Sequence, residues 1–297
     1  MAALMGYYRL MRPTNMFICG FSVLCGGIIG GRPFTLLSEH IISSDSGEIP
    51  LRIARIVLAA LSASIILASG NVLNDIMDVQ TDRINAPKRP IPSGLVSVRA
   101  AAIFAFILSI CGIFLAILIS PNAVAVALTA VFLLAVYDIK LKGVPLAGNI
   151  IVSALGGLAF IYGGIAGDCL PESMLPAIFA FLYHLGREII KDAADIRGDE
   201  NAGIKTIATV HGVPAACRLA SFILIILTVI VALPSITGYF GVMYTVYIAL
   251  GVCPVLLYAA ASLLSYQSES HLRNISLILK IDMPLGVVAV LVGFQGW

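Results

Sequence analysis

Two segments of the chain carry acidic and amide side chains at spacings of three or four residues. The first holds Asn74, Asp75, Asp78 and Asp82, and the second holds Asp192, Asp195 and Asp199. On a helix, residues three or four apart lie on one face, where like charges repel unless a cation joins them. Neither segment contains His or Cys, and ligands that are all oxygen favour a hard ion such as Mg²⁺. Solvated helix ends would explain one such segment, but two matched segments predict a Mg²⁺ site.

Cations follow both acidic segments, and a Tyr–Lys pair is predicted at the same membrane face. These residues are Arg83, Lys88, Arg89, Tyr137, Lys140, Arg197 and Lys205. Mg²⁺ held by a few carboxylates usually completes its coordination with water and phosphate oxygens. A mixture of carboxylates and cations therefore suits a metal–diphosphate complex. Taken singly, each cation is equally well explained as a topology signal or a lipid headgroup contact.

The composition indicates an integral membrane protein. The 297 residues are 60% hydrophobic and 11% charged, with a mean hydropathy of +1.02, whereas soluble domains are about 25% charged. The net charge of +2 gives no reason to expect a nucleic-acid partner. The six cysteines form no CxxC pair, so neither a disulfide framework nor a cysteine metal site is expected. Membrane lipids are the expected surroundings, and no protein partner is required.

Uncharged stretches of about 20 residues recur along the chain and predict membrane-spanning helices. Ser120-Pro121-Asn122 divides one long apolar run into a hairpin, and the segment from Pro234 to Gly238 divides another. We predict an all-α integral membrane protein, with nine transmembrane helices in one bundle and a single domain over residues 1–297. The loop of residues 32–52 carries no interpretable motif. The predicted spans are 14–31, 53–77, 100–119, 123–137, 145–166, 173–191, 218–236, 240–264 and 279–296.

The basic residues are distributed unequally between the two predicted membrane faces. Fifteen of the 18 Lys and Arg residues fall on the face that holds the amino terminus. The positive-inside rule then places the amino terminus in the cytoplasm and, after nine spans, the carboxyl terminus outside a cell membrane. Both acidic segments lie at the cytoplasmic ends of their helices, so the active site is predicted at that end of the bundle. An ion-coupled secondary transporter is a weaker alternative, because it would place its charges near the span centres.

At these residues the chain resembles the UbiA-type membrane prenyltransferase superfamily. The first family motif, NDxxDxxxD, reads from Asn74 to Asp82 and continues into Arg83 and the segment after it. The second reads from Asp192 to Asp199, where the first and last aspartates are seven rather than eight residues apart, so the core match is Asp195-xxx-Asp199. Arg12-Pro13-Thr14-Asn15 and Tyr137-xx-Lys140 are also similar to family features, and the resemblance extends over the whole chain.

The resemblance implies Mg²⁺-dependent transfer of an isoprenoid chain from its diphosphate to a lipophilic acceptor. It implies that the metal ligands are Asn74, Asp78, Asp82, Asp195 and Asp199. Asp75 and Asp192 would lie in or beside this shell, and either could accept a proton during catalysis. The diphosphate would be bound by Arg12, Asn15, Lys88, Arg89, Tyr137, Lys140 and Lys205. An apolar bundle would hold the prenyl tail and exclude water.

The acceptor is harder to assign than the family. An aromatic quinone precursor, a tetrapyrrole carboxylate and a glycerol hydroxyl all remain possible. The opening near Arg12 and the segment from Ile196 to Thr206 are most similar to members that transfer geranylgeranyl to geranylgeranylglyceryl phosphate in ether-lipid synthesis. Cations beyond those needed for one diphosphate would suit an acceptor with its own phosphate, although positive-inside bias also supplies surplus cations. If Arg89, Lys140 and Lys205 are assigned to the diphosphate, the cations that remain are Arg9, Arg12, Lys142 and Arg197.

Overall fold

A computed structural model of the chain describes residues 2–29 and 48–293, and within those ranges it contains helices and turns but no β-strand. Most of the predicted loop of residues 32–52 lies outside the described residues, and its last residues begin a helix at Glu48. The fourteen α-helices are α1 Ala2–Met11, α2 Pro13–Ile28, α3 Glu48–Met77, α4 Val79–Asn85, α5 Val98–Ile117, α6 Pro121–Val136, α7 Ala147–Ala166, α8 Leu170–Ala194, α9 Ile196–Asn201, α10 Ile207–His211, α11 Val213–Ile236, α12 Val242–Tyr247, α13 Cys253–Ser265 and α14 Glu269–Gly293. Two π-helical turns, Tyr137–Leu141 and Ile248–Val252, continue α6 and join α12 to α13.

Seven helical segments in the described ranges are long and apolar enough to cross a membrane, so the chain is a multi-pass membrane protein. Each overlaps a predicted span. They are Ile49–Met77, Val98–Ile117, Pro121–Leu141, Ala147–Ala166, Val213–Ile236, Val242–Ser265 and Glu269–Gly293. Large apolar side chains on their outer surfaces, such as Phe106 and Phe132, are exposed, as expected of residues that face lipid.

The other two predicted spans correspond to α2 and α8, which differ from the seven. The helix α2 has 16 residues, fewer than the roughly 20 that a full span needs. Residues 30 and 31, which the prediction included, lie outside the described residues. The helix α8 has 25 residues, but five of them are charged. Length and composition therefore support seven of the nine predicted spans within the described residues, and the spans at α2 and α8 stay predictions.

Local sequence signals explain where several helices begin and end. The Ser120 hydroxyl accepts a hydrogen bond from the amide of Ala123 at 3.2 Å, and Pro121 occupies the first turn of α6. The predicted hairpin between α5 and α6 is therefore confirmed. The helix α11 ends at Ile236, and Gly238 adopts a φ of +68°, which glycine accepts without strain. This turn confirms the second predicted division.

Glycines allow α2 to pack closely against α7. A Cβ atom at Gly163 would lie 2.0 Å from the carbonyl oxygen of Val23, and one at Gly167 would lie 2.2 Å from that of Gly27. Backbone atoms cannot move aside as a flexible side chain can, so these positions need glycine. The helix α7 also packs against α3 and, more extensively, against α8. It therefore connects the helix that carries the first acidic motif to the helix that carries the second.

Candidate active site

The two acidic motifs share one local construction. The helix α3 ends at Met77, and Asp78, with φ −85° and ψ 1°, precedes α4. The helix α8 ends at Ala194, and Asp195, with φ −102° and ψ 15°, precedes α9. Both aspartates occupy the sparsely populated region between helix and strand, which often holds active-site residues. The expectation of one continuous helical face is wrong in this respect, because each motif is divided between a long and a short helix.

Arginines neutralise two buried carboxylates of the first motif. Asp75 and Asp82 are both buried. Nη2 of Arg12 lies 2.5 Å from Oδ1 of Asp75, and Nη1 of Arg89 lies 2.6 Å from Oδ2 of Asp82 and 3.7 Å from Oδ1 of Asp75. Buried carboxylates without such partners would be strongly destabilising. Of the residues predicted to bind diphosphate, Arg89 thus reaches the predicted metal ligand Asp82, and Arg12 reaches Asp75, which was predicted in or beside the metal shell.

A pocket of about 480 Å³ opens beside these ion pairs. Lys88 is exposed at its edge and forms no ion pair with any described residue. The pocket therefore presents several cations around one carboxylate, which suits an anionic ligand. It is lined by Arg9, Arg12, Asp75, Ala86, Pro87, Lys88, Arg89 and Pro90.

The π-helical turn Tyr137–Leu141 brings a different lysine to the first motif from the one predicted. The backbone amide of Lys142 bonds to the carbonyl of Tyr137 at 2.9 Å, across one residue more than in an α-helix. Nζ of Lys142 contacts both carboxylate oxygens of Asp78. It also interacts electrostatically with Asp199. Lys142 is therefore paired with the first motif and adds positive charge near the second, whereas the predicted Lys140 is exposed and forms no ion pair with the described residues.

Asp138, in the same turn, is a site residue that sequence reasoning missed. It is buried, and its Oδ1 accepts a hydrogen bond of 2.8 Å from Nδ2 of Asn74. This bond fixes the orientation of the Asn74 amide and directs its oxygen away from Asp138, toward Arg12 at 3.4 Å. An aspartate between Tyr137 and Lys140 was visible in the sequence, but only the fold shows that it faces Asn74.

The second motif contains three carboxylates that are less fully neutralised. Oδ2 of Asp192 accepts a hydrogen bond of 2.7 Å from Asn149 on α7. Oδ1 of Asp195 lies 3.4 Å from Nη2 of Arg273, in an exposed contact. Burial, together with the nearby charges of Asp192 and Asp195, raises the pKa of the Asp199 carboxyl to about 7. A carboxylate whose protonated form is favoured in this way would gain from a bound cation.

Glu188 aligns with the second motif but is already neutralised. Its two carboxylate oxygens lie 2.9 Å from Nη1 of Arg187 and 2.9 Å from Nζ of Lys191. The Tyr137 hydroxyl interacts electrostatically with Lys191, Glu188 and Asp192, so the π-helical turn also lies near α8. Two other predicted ligands, Asn15 and Lys205, form no side-chain hydrogen bond or ion pair with the described residues.

The residues present fit a Mg²⁺ site that a substrate completes. In the described part of the chain, no group of three or more His, Cys, Asp or Glu side chains is already arranged to hold a metal ion. Mg²⁺ is usually bound by one or two carboxylates together with water and substrate phosphates rather than by a cage of protein ligands. Carboxylates on α3 and α8, with cations paired to the first motif, provide that set of groups.

Comparison with known proteins identifies relatives over the full length. The model of the UbiA prenyltransferase family matches residues 33–280. The chain is 35% identical to the digeranylgeranylglyceryl phosphate synthase of Methanopyrus kandleri over 96% of this chain and 97% of that protein. It is 33% identical to the enzyme of the same name from Methanocaldococcus jannaschii over 99% and 97% of the two chains.

Solved structures share the fold. A structure described as digeranylgeranylglyceryl phosphate synthase in membranes superposes with a TM-score of 0.80 and 30% identity, and each chain is covered completely. A UbiA homolog from Archaeoglobus fulgidus, bound to GPP and Mg²⁺, superposes with a TM-score of 0.62 over 96% of this chain and 99% of that one. Its identity of 18% supports a common fold.

Proposed function

Because this chain belongs to the UbiA prenyltransferase family, we propose that it transfers a geranylgeranyl group from its diphosphate to the hydroxyl of geranylgeranylglyceryl phosphate, with Mg²⁺ as its cofactor. The family assignment confirms the predicted enzyme class. The observation that carries the proposal is the pair of matched acidic motifs, with Lys142 paired to Asp78 of the first motif. The near-complete similarity to digeranylgeranylglyceryl phosphate synthases supports the choice of acceptor.

The proposed roles follow from the contacts of each side chain. Bound Mg²⁺ would supply positive charge to the departing diphosphate. With Mg²⁺ held by the carboxylates, the cations that now neutralise the first motif would be available to phosphate oxygens. These cations are Arg12, Arg89 and Lys142. We assign diphosphate contacts also to Asn15, Lys88, Tyr137, Lys140 and Lys205, and metal coordination to Asn74, Asp78, Asp82, Asp195 and Asp199.

The acceptor hydroxyl must lose a proton, and Asp192 suits this role better than Asp75. Oδ1 of Asp75 interacts with both Arg12 and Arg89, which weakens the carboxylate as a base. Only one oxygen of Asp192 is bonded, to Asn149. Its other oxygen would be available to the hydroxyl that attacks the allylic carbon.

We also propose nine spans, with α2 and α8 completing the bundle and the site at the cytoplasmic face. Polar residues on α8 do not exclude it, since Glu188 is paired and Tyr183 donates a hydrogen bond of 2.9 Å to Asp282 within the protein. With nine spans the amino terminus is cytoplasmic and the carboxyl terminus is outside.

Single introduced cysteines test this orientation. Asn122 and Ser270 are both exposed and lie in the first turns of α6 and α14, on opposite predicted faces. In intact cells, an impermeant thiol reagent should label Asn122→Cys and should label Ser270→Cys only after permeabilisation. The unsubstituted protein measures labelling of the native thiols. The reverse pattern would invert the orientation, and labelling of both positions in intact cells would contradict the odd number of spans between them.

The acceptor assignment is tested by product identification. Purified protein with Mg²⁺ and geranylgeranyl diphosphate is incubated with geranylgeranylglyceryl phosphate, a hydroxybenzoate, a naphthoate or a tetrapyrrole acid. We expect an ether product with the glycerol phosphate and at least 100-fold slower transfer to the aromatic and tetrapyrrole acids, because binding those acceptors requires different polar groups in the protein. Transfer to one of the aromatic or tetrapyrrole acids alone would reject the ether-lipid assignment and leave the family assignment unchanged.

A further inference from the structure

An apolar pocket of about 60 Å³ lies inside the bundle between α2, α3, α6 and α7. Ile66 of α3, Leu134 of α6 and Leu158 of α7 are among its lining residues, and none of the residues that line it is charged. Tyr162, whose side chain is buried, is the lining residue of α7 farthest along that helix from Asn149. Three of the helices that form it continue to the acidic site, so the pocket is a candidate for the part of the substrate farthest from the diphosphate.

Helix geometry gives the depth of the pocket. Each of these three helices carries a polar site residue toward one end: Asn74 on α3, Asp138 after α6 and Asn149 on α7. At about 1.5 Å per residue, Leu134 lies roughly 6 Å from Asp138 and Tyr162 lies roughly 20 Å from Asn149. An extended twenty-carbon isoprenoid has about 15 carbon–carbon bonds along its main chain, which at roughly 1.25 Å each give a length of about 19 Å. A donor of this length would reach Tyr162.

Hydrogen bonds hold Tyr162 in place. Its hydroxyl donates to Oγ of Ser62 at 2.8 Å, and the Ser62 hydroxyl donates to the carbonyl of Gly112 at 2.7 Å. Ser62 has no exposed surface. Moving the ring aside would leave buried polar groups without partners, which is unfavourable. Tyr162 is therefore a rigid end to the pocket rather than a side chain that can swing away.

We propose that this pocket binds the terminal isoprene unit of the prenyl donor and that Tyr162 sets the upper limit on donor chain length. The proposal rests on the proposed function for the nature of the donor. A fifteen-carbon donor would leave the pocket unfilled, and a twenty-five-carbon donor would collide with the Tyr162 ring. Chain-length preference would then be a property of one buried residue, tied through Ser62 to α3 and α5.

The test compares donor binding across chain lengths in variants of the end residue. Non-reactive thiodiphosphate analogues with 15, 20 and 25 carbons are titrated, with Mg²⁺, into the purified full-length protein. For the unsubstituted protein we expect the 20-carbon analogue to bind about tenfold more tightly than either other length. Tyr162→Ala should raise the affinity for the 25-carbon analogue relative to the 20-carbon one by at least tenfold. Tyr162→Phe keeps the ring and should preserve the original preference.

A second variant changes the pocket in the opposite sense. Ala63 is a lining residue, so Ala63→Leu should fill the pocket and shift preference toward the 15-carbon analogue. Thermal unfolding identifies variants that have not folded. If Tyr162→Ala does not fold, the length preference of Ala63→Leu tests the proposal instead. Unchanged length ratios in a folded variant of either position would overturn the proposal. Donor binding needs no acceptor, so failure of the acceptor assignment would leave this test intact, and the reverse also holds.

Discussion

Replacing either Asp78 or Asp195 by asparagine is expected to lower kcat by about two to three orders of magnitude while the protein remains folded. Each change removes one negative charge from a predicted metal ligand and preserves the shape of the side chain. Charge stabilisation by a bound ion contributes several kcal/mol to a transition state, and each 1.36 kcal/mol corresponds to a factor of ten in rate. Because we propose that both motifs hold the ions together, neither should be able to substitute for the other.

The control for these variants is Glu200→Gln. Glu200 is next to Asp199 in the chain, but it is exposed and forms no ion pair with the described residues. Its loss should change kcat by less than about twofold. Turnover is measured with saturating donor, acceptor and Mg²⁺, and folding is checked by size-exclusion chromatography and thermal unfolding. Near-native turnover in Asp78→Asn or in Asp195→Asn would exclude a site shared by both motifs.

Lys142→Gln is expected to change two measurements in opposite directions. Without donor, the Lys142 ammonium competes with metal ions for Asp78, so its removal should strengthen the binding of Mg²⁺ alone. With donor, the same variant loses a charged contact to phosphate, which is worth about 1.5–3 kcal/mol, and turnover should fall by about 10- to 150-fold. A residue that only stabilised the fold would not raise metal affinity while lowering turnover.

Arg99→Gln is the matched control, because Arg99 is an exposed cation on the same predicted face that forms no ion pair with the described residues. Calorimetry reports Mg²⁺ affinity, and product formation reports turnover. If Lys142→Gln weakened Mg²⁺ binding, or left turnover equal to that of Arg99→Gln, Lys142 would not have the role that we assign to it.

Hydropathy and spacing were sufficient to predict the membrane fold and the two acidic motifs. Backbone groups in lipid must be hydrogen-bonded within the protein, so an apolar stretch of sufficient length predicts a helix and a Pro- or Gly-containing break predicts its end. The predicted hairpin at Ser120 is therefore reproduced closely. Amphipathic α8 was predicted correctly as a helix, and its five charged residues distinguish it from the seven apolar spans.

The contacts that other residues make with the two motifs could not be predicted, because they depend on local backbone geometry and on helix packing. The turn at Tyr137 contains one residue more than an α-helical turn, and this extra residue brings Lys142 to Asp78. The hydrophobic periodicity of the sequence does not predict such a π-helical turn. Asn149 contacts Asp192 only because glycines let α7 pack tightly between its neighbours. The helical spacing of the acidic residues likewise does not predict that the first motif is divided at Asp78 and the second at Asp195.

Equilibrium binding of inorganic diphosphate is the most direct test of the shared site, because it needs neither acceptor nor prenyl chain. The measurement is calorimetric titration of the detergent-solubilised full chain, with and without Mg²⁺. We predict that the unsubstituted protein binds diphosphate only when Mg²⁺ is present, and that Asp78→Asn and Asp195→Asn each weaken this binding by at least tenfold. Binding with an unchanged Kd in either variant would show that one motif is sufficient and would contradict the account.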